Sequence, residues 1–297
     1  MLIEPGASTR DIASALYEAG VIRSPFLFRI VSKVLKADGK MQAGEFRFEP
    51  GIFVWDAIST LVEGRVVYYT LTVREGICVE EIAALIEERG YGDKARFLEI
   101  AKDPELVASL VEPEELAGSI YPVEGYLFPD TYNIPRGMSE EQLISVMLAR
   151  FSQVFTKELR DKARQMGLSV HQASTLAALV EKEAMVEEER PVIAAVYLNR
   201  VKIGMKLDAD PTVLYALGRF SGTLLWKELE IDSPYNTYKY PGLPPGPISN
   251  FGKSSLEAVL NPAQVDYFYF VSKNDGTHAF SYTLSEHNRN VALYQGK

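Results

Sequence analysis

The segment Leu176-Ala177-Ala178-Leu179-Val180-Glu181-Lys182-Glu183-Ala184 leaves the chain few options. Apolar residues without Gly or Pro predict a buried helix, and Ser169 with Gln172 has the spacing of a capping box that opens it. At about 100° per residue, Ala173, Leu176, Ala177, Val180 and Ala184 fall on one stripe, with Glu183 about 50° from its middle. Glu181 lies on the other flank and Lys182 on the back. The two glutamates therefore diverge and do not form a dyad. Apolar surroundings raise a Glu pKa, and a Glu still protonated near neutrality can act as a general acid. Spacing alone equally allows an ordinary ion pair to an Arg of the next helix, such as Arg200. That helix is expected from about Glu188 to Val201, with Pro191 in its first turn.

A weak repeat opens the chain. Ile3-x-Pro5-Gly6-x-Ser8-x-x-Asp11-Ile12-Ala13 closes at Gly20, and Val73-x-Glu75-Gly76-x-Cys78-x-x-Glu81-Ile82-Ala83 closes at Gly90, at a constant offset of 70. A partial copy runs from Pro50-Gly51 to Gly64. Each copy reads as a strand end, a Gly turn and a short helix closed by Gly. Gly44–Phe48 and Arg65–Val73 read as strands. Residues 1–92 are thus expected to form one α+β region, either a duplicated packing unit or a ligand-docking module, and 93–297 a second domain. Residues 91–120 read as helices rich in Glu and Leu. The loop Tyr121–Tyr132 is too aromatic to be a solvated linker, so it is packed or lines a groove. Ser139 with Gln142 predicts a helix to about Met166, stopped by Gly167. Tyr267–Val271 and His278–Tyr282 read as strands joined by a hairpin at Asn274-Asp275-Gly276, before a last short helix.

Charge and composition narrow the function. A net charge of -9 argues against a general nucleic-acid binder. The single cysteine, Cys78, rules out an internal disulfide. The three histidines lack metal-ligand spacing, and Asp208-x-Asp210 lacks the other ligands of a calcium loop. Gly246–Ser254 imitates a phosphate loop, but with five residues between its glycines where the motif needs four. The longest apolar runs are too short to span a bilayer, and the first residues do not form a signal peptide.

Seven segments occur in order: Glu124-Gly125-Tyr126-Leu127-Phe128-Pro129-Asp130-Thr131-Tyr132, Leu179–Glu183, Asn199-Arg200, Met205-x-Leu207, Asp210-Pro211-Thr212-Val213-x-Tyr215, Tyr235-Asn236-Thr237-Tyr238 and Gly242–Ile248. Together they resemble the MltG (YceG-like) endolytic murein transglycosylases over nearly the whole chain. The resemblance implies an α+β protein, with a LysM-like glycan-docking region ahead of a mixed helical and strand catalytic domain. It implies cofactor-free, metal-free cleavage of the MurNAc–GlcNAc β-1,4 bond of peptidoglycan strands, with one Glu as acid and then base. The family pattern puts that Glu at the second glutamate of Glu-Lys-Glu, which is also the residue that helical geometry favours, Glu183.

Glu124, Asp130, Asn199, Arg200, Asp210, Thr212, Tyr235, Asn236, Thr237 and Tyr238 become candidate substrate-binding residues. Among them Glu124 and Asp130 could instead hold a loop, and Asn199 and Arg200 could orient Glu181. A hydrolase reading needs a second carboxylate, for which Asp208, Asp210 and Glu124 are available; a non-catalytic scaffold is the third reading. Ala184 departs from the family, where Thr or Ser is common. The family's N-terminal membrane helix has no counterpart here, so an ectodomain on the outer side of the cytoplasmic membrane is expected, working beside the wall-synthesis machinery.

Overall fold

Each copy of the repeat folds around the same two backbone constraints. In the computed structural model, which describes residues 1–296, Gly6, Gly51 and Gly76 have φ of 80°, 81° and 77° ahead of a helix, and Gly20, Gly64 and Gly90 have φ of 72°, 66° and 70° behind it. Only glycine adopts these angles without strain. The helices are α1 (Thr9–Glu18), α3 (Val54–Val62) and α4 (Val79–Glu88), with α2 (Pro25–Val34) between the first two. Ser8 and Asp11 cap α1 reciprocally, at 3.2 and 3.1 Å. Strand β1 (Leu2–Ile3) pairs antiparallel with β2 (Gly44–Glu45), and β3 (Tyr68–Thr72) pairs with β4 (Thr131–Pro135).

Two compact units result, and they do not divide at residue 92. Met1–Leu71 joins Thr131–Ser139 in one; Thr72–Asp130 joins the chain from Glu140 onward in the other. The first unit holds the opening copy and the partial copy around a core of Ile12, Leu16, Phe28, Phe46, Ile58 and Leu61. The copy from Val73 to Gly90, with α4, belongs to the larger unit.

In that larger unit α5 (Lys94–Ile100) follows α4, but the helices expected to continue to residue 120 give way to two 3-10 turns, Pro104–Val107 and Pro113–Leu116, joined by irregular chain. Each carries Pro in its first turn, which starts a turn but cannot continue a preceding helix. The long helix expected to reach Met166 is also divided, into α6 (Glu140–Val154) and α7 (Lys157–Gln165). Thr156 breaks it by capping the N–H of Leu159. Next come α8 (Val170–Glu183), α9 (Arg190–Lys202), α10 (Asp210–Ala216) and α11 (Lys253–Leu260). The hairpin β5 (Tyr269–Ser272) and β6 (His278–Ser281) runs antiparallel, and α12 (Leu284–Tyr294) follows it.

Helix α8 is the axis of this unit. Its Ser169–Gln172 capping box forms as expected. The single apolar stripe does not describe it, because every residue from Ala173 to Val180 is buried. Helices α7, α9, α10 and α11 pack around it, so even Ser174 and Thr175 face protein, and the Thr175 hydroxyl donates to the His171 carbonyl at 2.8 Å.

The aromatic loop is packed. Tyr126 and Leu127 are fully buried, and the Tyr126 hydroxyl lies 2.8 Å from His171 Nδ1, whose Nε2 lies 2.7 Å from the Pro245 carbonyl. Gly125 allows this turn: its φ is 83°, and a Cβ there would come within 2.5 Å of the Pro247 ring. Gly125→Ala combines left-handed strain with overpacking, and we expect it to cost about 2–5 kcal/mol in a chemical denaturation experiment.

Candidate active site

Glu183 is the last residue of α8, where the helix turns from a buried rod towards solvent. Its side chain is half-buried, and the Tyr197 hydroxyl on α9 donates to Oε1 at 3.2 Å. Desolvation pushes its pKa up to about 7; the negative charge of Asp210 adds to this, while the Tyr197 hydrogen bond and the positive charge of Arg200 oppose it. The negative end of the α8 dipole acts in the same direction as desolvation. Asp210 opens α10, and its carboxylate accepts a 2.6 Å hydrogen bond from the Tyr238 hydroxyl. Four side chains, Tyr197 and Arg200 from α9, Asp210 from α10 and Tyr238 from a loop, thus set the environment of a single protonatable oxygen pair. No sequence motif marks Tyr197; its signal is its place three residues before Arg200, on the same face of α9.

The opposing effects make a paired prediction. Tyr197→Phe removes a donor that favours the carboxylate, so the basic limb of kcat/KM should move above pH 7. Asp210→Asn removes a repelling charge, so the limb should move below it. A pH–rate profile of the two variants, with shifts of opposite sign, checks this.

Glu181 is committed elsewhere. Its carboxylate accepts from Arg190 Nη1 at 3.1 Å, the Gly252 N–H at 3.0 Å and the Ser255 hydroxyl at 2.7 Å. It therefore anchors the start of α11, and the divergence of the two glutamates expected from helical spacing is real. Lys182 reaches the carbonyls of Gly76 and Phe220 at 3.0 and 3.5 Å, joining α8 to the second repeat copy.

Most of the candidate substrate-binding residues turn inward. Glu124 is 1% exposed and accepts from the Val79 N–H at the start of α4, the Tyr215 hydroxyl and the Asn250 amide. Burial lifts its pKa to about 8 against the pull of the Val79 N–H and the Tyr215 hydroxyl. Asn250 also accepts from the Leu127 N–H and donates to the Ile77 carbonyl, so the segment that imitates a phosphate loop is a knot between loops. Asp130 pairs with Arg150 at 2.6 Å. Asn199 donates to the Val265 and Tyr267 carbonyls, both at 3.0 Å. Arg200 donates to the carbonyls of Phe268 and Leu207, at 2.6 and 2.7 Å, and lies 3.7 Å from Asp208. Arg200 therefore does not form the direct ion pair with Glu183 that spacing allowed, and neither Asn199 nor Arg200 orients Glu181.

The same holds along Tyr235–Tyr238. Tyr235 is buried with its ring 5.0 Å from that of Tyr215. Asn236 donates to the Leu229 and Ile231 carbonyls. Thr237 accepts from the Ala209 N–H and lies 2.9 Å from the Thr212 hydroxyl, so both threonines fasten the start of α10. Only Tyr238, half-buried, and Asp210, exposed, stand beside Glu183.

A carboxyl whose pKa is raised to about 7, with a phenol beside it and the charge of Asp210 adding to the rise, has the chemistry that a general acid–base centre needs. The chain belongs to the YceG-like family, whose model matches residues 1–293. It is 38% identical to the endolytic murein transglycosylase of Bacillus subtilis (strain 168), over 98% of this chain and 83% of that protein. It is 30% identical to the endolytic murein transglycosylase of Streptococcus pneumoniae serotype 2 (strain D39), covering 98% of this chain but only 57% of that protein's length. A crystal structure of a yceG-like protein from Listeria monocytogenes shares the fold, with a TM-score of 0.69 and 36% identity over 97% of each chain.

Proposed function

We propose that the chain is an endolytic murein transglycosylase with Glu183 as its catalytic acid and base. The observation that carries this reading is a single half-buried carboxyl whose pKa is raised to about 7. Protonated Glu183 gives its proton to the bridging oxygen between MurNAc C1 and GlcNAc C4, and the C1–O bond breaks. The oxocarbenium-like carbon is captured by the C6 hydroxyl of the same sugar, and Glu183, now a carboxylate, takes the hydroxyl proton. The new C1–O6 bond closes a 1,6-anhydro ring, no water is consumed, and the acid is regenerated. One group performs both proton transfers, so a carboxyl titrating near neutrality is well matched to the task.

In this reading Tyr238 meets a sugar ring, and Asp210 sets the charge of Glu183, as their places beside it support. The repeat-bearing N-terminal region is the candidate LysM-like docking module. In the cell the chain would act at the outer side of the cytoplasmic membrane, on glycan strands emerging from the synthesis machinery.

Asp210 also keeps a second chemistry open, since a nearby carboxylate could activate water in a hydrolase. Mass spectrometry of digested murein separates the two. The proposal requires 1,6-anhydroMurNAc ends; reducing MurNAc ends alone would replace it with the hydrolytic reading.

A further inference from the structure

Helix α2 presents an apolar face to solvent. Phe26 and Val34 are 70% and 75% exposed, and Leu27 and Ile30 are exposed between them. At about 100° per residue, Phe26, Ile30, Val34 and Leu27 span an arc of about 100°. Arg29 and Lys33, also exposed, border it on one side. The opposite side of the helix is committed, because Phe28 and Ser32 are buried in the core of the first unit. Nothing in Pro25–Val34 is acidic. Residues 23–40 carry Arg23, Arg29, Lys33, Lys36 and Lys40 against one carboxylate, Asp38, which accepts from Thr9. This surplus stands out in a chain whose net charge is -9.

We propose that this face of α2 docks on an anionic phospholipid surface. The helix has 10 residues, far too few to cross a bilayer of ~30 Å hydrocarbon thickness. It is suited to lying in the interface, with its four apolar side chains at the acyl boundary and its cations at headgroup phosphates. Charge complementarity selects the membrane over a second copy of this chain, since two such faces would bring Arg29 and Lys33 of both copies, four like charges, close together. The proposal places no requirement on the catalytic chemistry.

The test is co-sedimentation of the chain with vesicles of phosphatidylcholine, with and without phosphatidylglycerol. Binding is expected to the anionic vesicles and to weaken with added salt. Ile30→Asn with Val34→Asn, and separately Arg29→Glu with Lys33→Glu, should each lower the partition coefficient by about tenfold or more. Thermal midpoints of both double variants should match the parent, since all four side chains are exposed. Absent binding to anionic vesicles, or binding that neither variant alters, would overturn the proposal. So would a concentration-dependent dimer that Ile30→Asn with Val34→Asn abolishes, which would assign the face to self-association. Because the readout is lipid binding, failure of the proposed murein cleavage would leave it unaffected.

Discussion

Glu183→Gln should reduce murein cleavage by about 10³-fold or more, because the amide can neither donate the first proton nor accept the second. Fold and ligand binding should survive, since Gln keeps the shape and can still accept from Tyr197. Stability should even respond in the opposite direction from activity. The folded-state pKa of Glu183, about 7, lies above the ordinary carboxylate value of 4.5, so the folded protein holds a proton that the unfolded chain gives up between those two pH values. Unfolding free energy therefore falls as pH rises through that window. Above pH 7 the wild type keeps a charged, desolvated carboxylate that the variant lacks. Gln should then raise the thermal midpoint at pH 8, with the difference shrinking below pH 5. A variant that still released anhydro ends at a tenth of the parental rate would remove Glu183 from the centre of the reaction.

Sequence periodicity was most reliable where burial follows from local pattern. The divergence of Glu181 and Glu183 depends only on the pitch of one helix, and it appears in the structure as two unrelated environments. Capping boxes at Ser8 and Ser169 are equally local, and both form. What the sequence concealed is tertiary. Asn199, Arg200, Thr212, Asn236 and Thr237 are polar residues in motif-like segments, which suggests ligand contact. Each is instead spent on a backbone or side-chain partner of a loop. Long irregular stretches between α9 and α11 leave many buried carbonyls and N–H groups without ladder partners, and such groups must find side chains. A motif rich in Asn, Thr and Arg is what that requirement produces, whether or not a substrate lies nearby. The domain boundary was hidden for a related reason. Copies of one repeat have the same local turn chemistry, yet nothing local decides which unit a copy packs into.

Glu181→Ala should be the most destabilising exchange at the end of α8, by about 3–5 kcal/mol, on the order of 10 °C in thermal midpoint. The side chains of Glu181 and Arg190 are 8% and 13% exposed. Removing the carboxylate leaves a nearly buried guanidinium whose ion pair with Glu187, at 3.0 Å, is to an exposed side chain. It also takes the acceptor from the Gly252 N–H and from Ser255, at the opening of α11, the helix packed along α8. Most of the cost is the uncompensated charge, so Glu181→Gln should recover only part of the loss, and Glu181→Ala with Arg190→Met should recover more than either single change suggests. Calorimetry of the three variants measures this coupling directly. Residual folded enzyme should keep its 1,6-anhydro product and a basic limb near pH 7, because the proposed mechanism assigns both to Glu183. If Glu181→Ala instead left the thermal midpoint in place while cleavage vanished, the two glutamates of Glu-Lys-Glu would have to exchange the roles assigned to them.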